Sequence, residues 1–222
     1  MNLTELRSAF SKYVPAKALD SCIDWIAEHR ISVRITRSRH TKYGDYRPPF
    51  DGKGHRISIN HDLNKYAFLL TFTHEVAHLI TYNKYRLKVD PHGREWKHEF
   101  KKIMTPLLFG GIFPRELVLA INNYISNPAA SSCSDIELMR TLSKYDKRDQ
   151  QWKLLEELRL NTHFRIRTGR EFIKGELKQK NFCCTCVKSR HQYFINPLTE
   201  VQVVRPGSGA PGKKTKTPKF KN

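Results

Sequence analysis

Two histidines and a glutamate stand together in the segment His74-Glu75-x-x-His78. On a helix, residues four apart share one face, so the two imidazoles can bind the same metal ion. A zinc ion held by histidines lowers the pKa of its water molecule to about 7, and a neighbouring carboxylate can take the proton. The motif therefore predicts one catalytic zinc ion, with His74 and His78 as ligands and Glu75 as the base that activates water for hydrolysis.

A catalytic zinc site also needs a third protein ligand and an open coordination position. We expect His92 to be this ligand, because it lies at a turn before the next helix and Gly93 relieves crowding there. Glu95 and Glu99, on that next helix, are the alternatives. His98 lies later on the same helix and is interpreted as a solvated histidine or one that supports a ligand.

The spacing of apolar residues indicates the elements that must position this site. Residues 65–82 are strongly apolar and predict one buried helix, in which histidines without partners would be costly. Asn60 or Asp62 is expected to cap it. Further helices are predicted over residues 4–10, 15–29, 94–104, 114–125 and 135–145, the third of them ending before Pro106.

Residues 31–37 and 55–60 alternate apolar and polar residues and predict strands, and residues 42–49 predict a further strand that ends at two prolines. We expect these three strands to form a small antiparallel sheet. Together with the helices they predict an α+β fold for residues 1–150.

The composition changes after about residue 150, where short strands separated by turn residues indicate a small β-rich appendage over residues 151–205. Its strands are predicted at 162–167, 170–173, 181–185, 193–195 and 201–204. Residues 206–222 are rich in Gly, Pro and Lys with little to bury, so we expect a disordered basic tail.

Three of the five cysteines cluster as Cys183, Cys184 and Cys186. The odd count and the spacing do not resemble a disulfide framework and favour thiols in a reducing compartment. A zinc site with four cysteines needs two pairs, and the next candidate ligand after this cluster is His191. We expect the clustered cysteines to pack as small apolar residues, with a second metal site as the alternative.

The chain is strongly basic, with 40 Lys and Arg against 21 Asp and Glu and a formal net charge of +19. Such an excess attracts polyanions, and nucleic acid is the commonest of them. We therefore expect binding to DNA without sequence specificity, and a basic surface kept for solubility is the alternative. Aromatic residues are interleaved with the basic ones in the appendage, an arrangement that suits single-stranded nucleic acid, but we favour the interpretation that these aromatic residues form its small core.

No segment approaches the roughly 20 apolar residues of a membrane span. The first residues, MNLTELRSAF, lack the apolar core of a signal peptide. We expect a soluble, cytoplasmic protein without a membrane partner, with association with the nucleoid as an option.

The run His74-Glu-x-x-His78 followed by His92-Gly-x-x-Trp96 resembles the SprT-like family, which includes bacterial SprT proteins and the eukaryotic DNA-dependent protease Spartan. Further segments are similar to those of bacterial members, so the resemblance covers roughly residues 5–204. These segments are residues 42–49, 55–60, 132–139, 164–169 and 172–176.

The resemblance implies a compact zincin-like metallopeptidase domain over residues 1–150, in which His74, His78 and His92 hold zinc and Glu75 is the catalytic base. Spartan-type members cut proteins bound or crosslinked to DNA, and DNA switches them on. The implied substrates are therefore DNA-associated proteins. Some relatives carry a C-terminal zinc ribbon, of which the appendage, without a second cysteine pair, would be a degenerate form.

Two other functions remain compatible with the sequence. One is a DNA-binding regulator of SprT type with little or no proteolytic activity, and the other is hydrolysis of a non-peptide amide. The sequence does not identify the group that stabilises the developing oxyanion. The candidates are Tyr46, Arg47 and Tyr82.

Overall fold

The computed structural model of this chain describes residues 3–39, 42–126, 135–147 and 149–204. The chain divides into two compact units, one ending at Lys147 and the other beginning at Arg148. Six α-helices and ten strands lie within these described ranges, so the fold is α+β.

The first unit contains all six helices and a three-stranded sheet. The helices are α1 (Leu3–Phe10), α2 (Leu19–Glu28), α3 (Lys65–Tyr85), α4 (Arg94–Phe109), α5 (Arg115–Ser126) and α6 (Ile136–Ser143). The strands are β1 (Ser32–Thr36), β2 (Gly44–Arg47) and β3 (Arg56–Asn60).

The long helix α3 runs through the core of this unit and confirms the buried helix predicted over residues 65–82. Apolar side chains such as Phe68, Phe72 and Leu79 are fully buried along it, and each contributes about 1.5–3 kcal/mol to stability. Its cap is Asn64, whose side-chain oxygen accepts hydrogen bonds from two backbone N–H groups of the first turn at 3.0 and 3.1 Å. The predicted cap was therefore placed too early in the chain.

The sheet is mixed, whereas the sequence predicted a wholly antiparallel one. Its order is β1-β3-β2, with β1 parallel and β2 antiparallel to the central strand β3. The chain leaves β1, passes to the opposite edge as β2 and turns back into the centre, which buries Ile57 and Ile59 of β3 in the core. This order makes β2 an edge strand, and it packs against α3.

Helix α4 continues through Pro106 to Phe109, although the sequence predicted that it ends before the proline. A proline inside a helix removes one backbone hydrogen bond and costs about 3 kcal/mol. Leu107 and Leu108 follow it and are 2% and 8% exposed, so the burial of two large apolar side chains offsets this cost.

The second unit is a seven-stranded sheet of order β4-β10-β5-β6-β8-β7, with β9 paired to β8, among the described residues. Its strands are β4 (Lys153–Leu154), β5 (His163–Ile166), β6 (Glu171–Ile173), β7 (Leu177–Lys178), β8 (Asn181–Cys186), β9 (Gln192–Ile195) and β10 (Glu200–Val203). The five predicted strands are confirmed, and the two missed strands, β4 and β7, are only two residues long.

The core of the second unit is built by aromatic, aliphatic and cysteine side chains. Phe164 and Phe172 stack with ring centroids 5.8 Å apart, and Cys184 and Cys186 are buried in the same cluster. Cys183 is also buried. This burial agrees with the expectation that the three cysteines pack as small apolar residues.

Residues 206–222, predicted to be disordered, lie outside the described residues. In the ranges that the structure describes, none of the helices is both long and apolar enough to cross a membrane.

Candidate metal centre

Helix α3 presents His74 and His78 on one face, and the segment between α3 and α4 brings His92 to them. The Nε2 atoms of His74 and His78 are 3.2 Å apart. The Nε2 atom of His92 lies 3.0 Å from that of His78 and 3.2 Å from that of His74. The three histidines named from the sequence therefore meet at one point as a nearly equilateral triangle of nitrogen atoms, called the triad below.

The triad has the dimensions of a metal site. Ligand nitrogens bound tetrahedrally at about 2.0–2.1 Å from a zinc ion are separated by roughly 3.3 Å, close to the observed 3.0–3.2 Å. Hydrogen bonding cannot account for the arrangement, because each nitrogen of a neutral ring is either a donor or an acceptor. Among three mutual contacts, at least one must join two donors or two acceptors, and a cation between the rings removes this conflict. These residues could therefore hold a metal ion.

Burial keeps all three imidazoles neutral, as metal ligands must be. It lowers the pKa of His74 well below the usual value, with further lowering from the charges of the other two histidines. It lowers the pKa of His78 to about 3, and the pKa of His92 is lowered by burial and by Lys97.

The indole of Trp96 packs against all three histidines. Its ring centroid lies 4.6 Å from that of His74, 5.2 Å from that of His78 and 4.8 Å from that of His92. Phe100, one turn later on α4, stacks on this indole, with ring centroids 5.1 Å apart and an interplanar angle of 8°. From the sequence, Trp96 is expected to pack in the core against the helix that carries the first two histidines, and its burial and its contacts with His74 and His78 confirm this. The contact with His92 was not foreseen.

The alternative ligands lie elsewhere in the first unit. Glu99 is buried, and its Oε1 atom is 2.6 Å from the Nζ atom of Lys84, so this carboxylate joins α4 to α3. Neither Glu95 nor Glu99 belongs to the group of possible ligand atoms gathered at the triad, as far as the structure describes the chain. His98 is exposed.

Glu75 lines the same cavity as the triad, a cleft of about 440 Å³. Burial, and next the charge of Asp45, raise the pKa of Glu75 to about 8, although the backbone N–H of Tyr46 and the cations Lys42 and Arg39 act in the opposite direction. A carboxylate with a raised pKa is a stronger proton acceptor when ionised, and a cation at the triad would favour its ionised form. The position and the environment of Glu75 thus suit proton transfer to and from water in this cavity.

Two of the three oxyanion candidates from the sequence also line this cavity, namely Tyr46 and Tyr82. Arg47 is not among its lining residues, and its Nε atom lies 2.9 Å from the Oδ2 atom of Asp45. Arg86, which was not identified from the sequence, also lines the cavity, and its guanidinium carbon lies 5.3 Å from the ring centroid of Tyr82. Positions 74, 78 and 82 are four apart on α3, and Arg86 follows at the same interval as the residue that ends the helix, so this spacing could have indicated it.

Comparisons with known proteins place these observations in a family. No curated protein matches the chain, and no solved structure matches it. A model of the SprT-like family matches residues 4–115, slightly more than half of the chain, and this stretch contains the triad and Glu75. The chain therefore belongs to the SprT-like family.

Proposed function

We propose that this protein is a zinc-dependent metallopeptidase that hydrolyses peptide bonds in DNA-associated proteins. The proposal rests mainly on the observation that the triad and Glu75 line the same cavity. Membership in the SprT-like family also supports it.

Each side chain has a distinct task in this proposal. His74, His78 and His92 hold the ion, and three neutral imidazoles with an open fourth position are typical of catalytic zinc. Zinc at such a site supplies Lewis acidity, which makes water an effective nucleophile near neutral pH. Glu75 takes a proton from the attacking water and passes it to the amine that leaves when the C–N bond breaks.

The proposed DNA partner is supported by charge. The net charge of +19 favours contact with phosphates, and such contacts carry no sequence information. In the second unit, two arginines stack on aromatic rings. The guanidinium carbon of Arg167 lies 4.4 Å from the ring centroid of Trp152, and that of Arg170 lies 4.6 Å from that of Tyr193.

Salt dependence tests the DNA partner directly. For binding through phosphates, the logarithm of the association constant falls linearly with the logarithm of salt concentration, with a slope of about −0.9 per neutralised phosphate of duplex DNA. A slope near zero would remove the phosphate-contact argument.

The hydrolytic activity is tested by incubating the zinc-loaded protein with a DNA-binding protein, alone and with single-stranded or duplex DNA. We expect cleavage fragments, and we expect Glu75→Gln to reduce the rate by at least about 100-fold because proton transfer is lost. Zinc and DNA binding should be unchanged in this variant. If the wild type shows no cleavage but binds DNA, the protein is a DNA-binding regulator instead.

A further inference from the structure

Strand β2 passes directly over the Glu75 side chain. A Cβ atom at Gly44 would lie 2.6 Å from Oε1 and 2.9 Å from Cγ of Glu75, and 2.7 Å from Cγ2 of Thr71. Gly44 is not among the glycines with positive φ, so its backbone conformation does not require glycine. The requirement comes from the neighbouring side chains, because any larger residue would occupy the space that Glu75 fills.

The same strand also favours the charged form of this carboxylate. The backbone N–H of Tyr46, two residues after Gly44, lowers the pKa of Glu75. Between them, Asp45 is paired with Lys42 at 2.6 Å and with Arg47 at 2.9 Å, and these cations partly neutralise its charge close to Glu75. Strand β2 thus leaves space for the Glu75 side chain at Gly44 and has a backbone N–H group at Tyr46 that favours its ionised form.

We propose that strand β2 positions the proton acceptor of the reaction, and that Gly44 is the positioning residue that leaves room for the Glu75 carboxylate. This inference rests on the proposed hydrolytic function. None of the atoms nearest to a Cβ at position 44 belongs to the triad. A methyl group there should therefore displace the Glu75 side chain and press against the methyl group of Thr71, while the metal ligands stay in place.

The substitution Gly44→Ala separates an effect on the position of Glu75 from an effect on metal binding. We expect kcat to fall about 100-fold, which is a typical result of moving a reacting group by about 1 Å. KM should change little, and the affinity for zinc or Co²⁺, measured by chelator competition, should stay within about threefold of the wild type, below the change caused by losing support for a ligand.

Gly54→Ala is the matched control, because the nearest atom to its added Cβ is the backbone oxygen of Arg30 at 4.0 Å. This variant should keep wild-type kcat and metal affinity. Wild-type kcat in Gly44→Ala, or a loss of metal affinity as large as its loss of activity, would overturn the inference.

Thermal unfolding provides a readout that does not need activity. Gly44→Ala should lower Tm in the wild-type background and lower it less in a Glu75→Ala background, where two of the three close contacts are gone and only that with Thr71 remains. Equal losses in both backgrounds would show that position 44 does not act through Glu75. If the wild type itself fails to cleave, the proposed function is wrong, but this comparison still decides whether Gly44 and Glu75 are coupled.

Discussion

The indole ring of Trp96 lies 4.6 Å from the imidazole of His74, and both side chains are buried. The Nδ1 atom of His74 and the Nε1 atom of Trp96 have no hydrogen-bond partner among the described residues. Metal-binding histidines usually donate their second nitrogen to a carboxylate or a carbonyl group. In this protein, packing against the indole ring of Trp96 therefore orients the imidazole of His74.

Replacing this indole should weaken metal binding. Trp96→Leu is expected to lower zinc affinity by about 10–100-fold, which is typical for loss of the groups that support a ligand. Trp96→Phe should restore most of the affinity because a flat ring remains. Chelator competition measures both, and Trp25→Phe, a partly buried tryptophan that packs on Phe72, is the control. Equal affinities in the Leu variant and the wild type would contradict this role.

The identity of the third ligand can be tested by two substitutions. His92→Ala should lower metal affinity by more than about 100-fold, since a ligand contributes more than its supporting groups. Glu99→Gln should change the affinity by less than about twofold but should lower Tm, because the buried Glu99 then loses its ion pair with Lys84. The opposite pattern would make Glu99 the ligand.

The raised pKa of Glu75 predicts a pH dependence of stability for the metal-free protein. The unfolded chain loses this proton near pH 4.5, whereas the folded chain holds it up to about pH 8. The favourable contribution of the protonated group is thus complete below pH 4.5 and is lost as pH rises to about 8, by at most about 1.4 kcal/mol per pH unit. Since the histidines act in the opposite direction below about pH 6.5, urea unfolding of the chelated protein should show this loss as a wild-type stability that falls relative to that of Glu75→Gln as pH rises from 4.5 to 8. Parallel pH profiles for the two proteins would contradict it.

The histidines act in the opposite direction. His78 has a folded pKa of about 3 against an ordinary value of 6.5, so the unfolded chain binds a proton that the folded chain does not. The His78 contribution to the stability of the metal-free protein should therefore be lost as pH falls from about 6.5 to 3. His78→Asn should flatten the acid side of the same urea profiles, and an unchanged acid side would disprove the assignment.

Zinc content separates the two interpretations of the cysteine cluster. Because Cys184 and Cys186 are buried in an apolar cluster, we expect one zinc ion per chain by elemental analysis. Cys186→Ala should leave this ratio at one. A ratio of two in the wild type, falling to one in the variant, would establish a second site.

The three histidines of the triad could be predicted from the sequence because their arrangement is mostly local. Positions 74 and 78 share a helix face by spacing alone, and His92 follows at the turn that returns the chain to the same place. The contact between Gly44 and Glu75 joins a strand to a helix 31 positions later in the chain, and no local pattern indicates it.

The other differences between the sequence-based predictions and the structure also come from tertiary packing. Asn60, expected as a helix cap, is buried and instead binds the backbone oxygens of Arg39 and Lys42 at 3.1 Å. Pro106 remains within α4 because of the leucines that follow it. Strand order depends on which residues the core can bury, and alternation within one segment cannot distinguish parallel from antiparallel pairing.

X-ray absorption at the zinc edge of the purified, zinc-loaded protein tests the metal centre most directly. We predict three imidazole nitrogens at about 2.0–2.1 Å, one further light atom and no sulfur, with the imidazole signal reduced in His92→Ala. Scattering from sulfur at about 2.3 Å, or a zinc environment that is the same in His92→Ala, would contradict the assignment of the triad as the metal site.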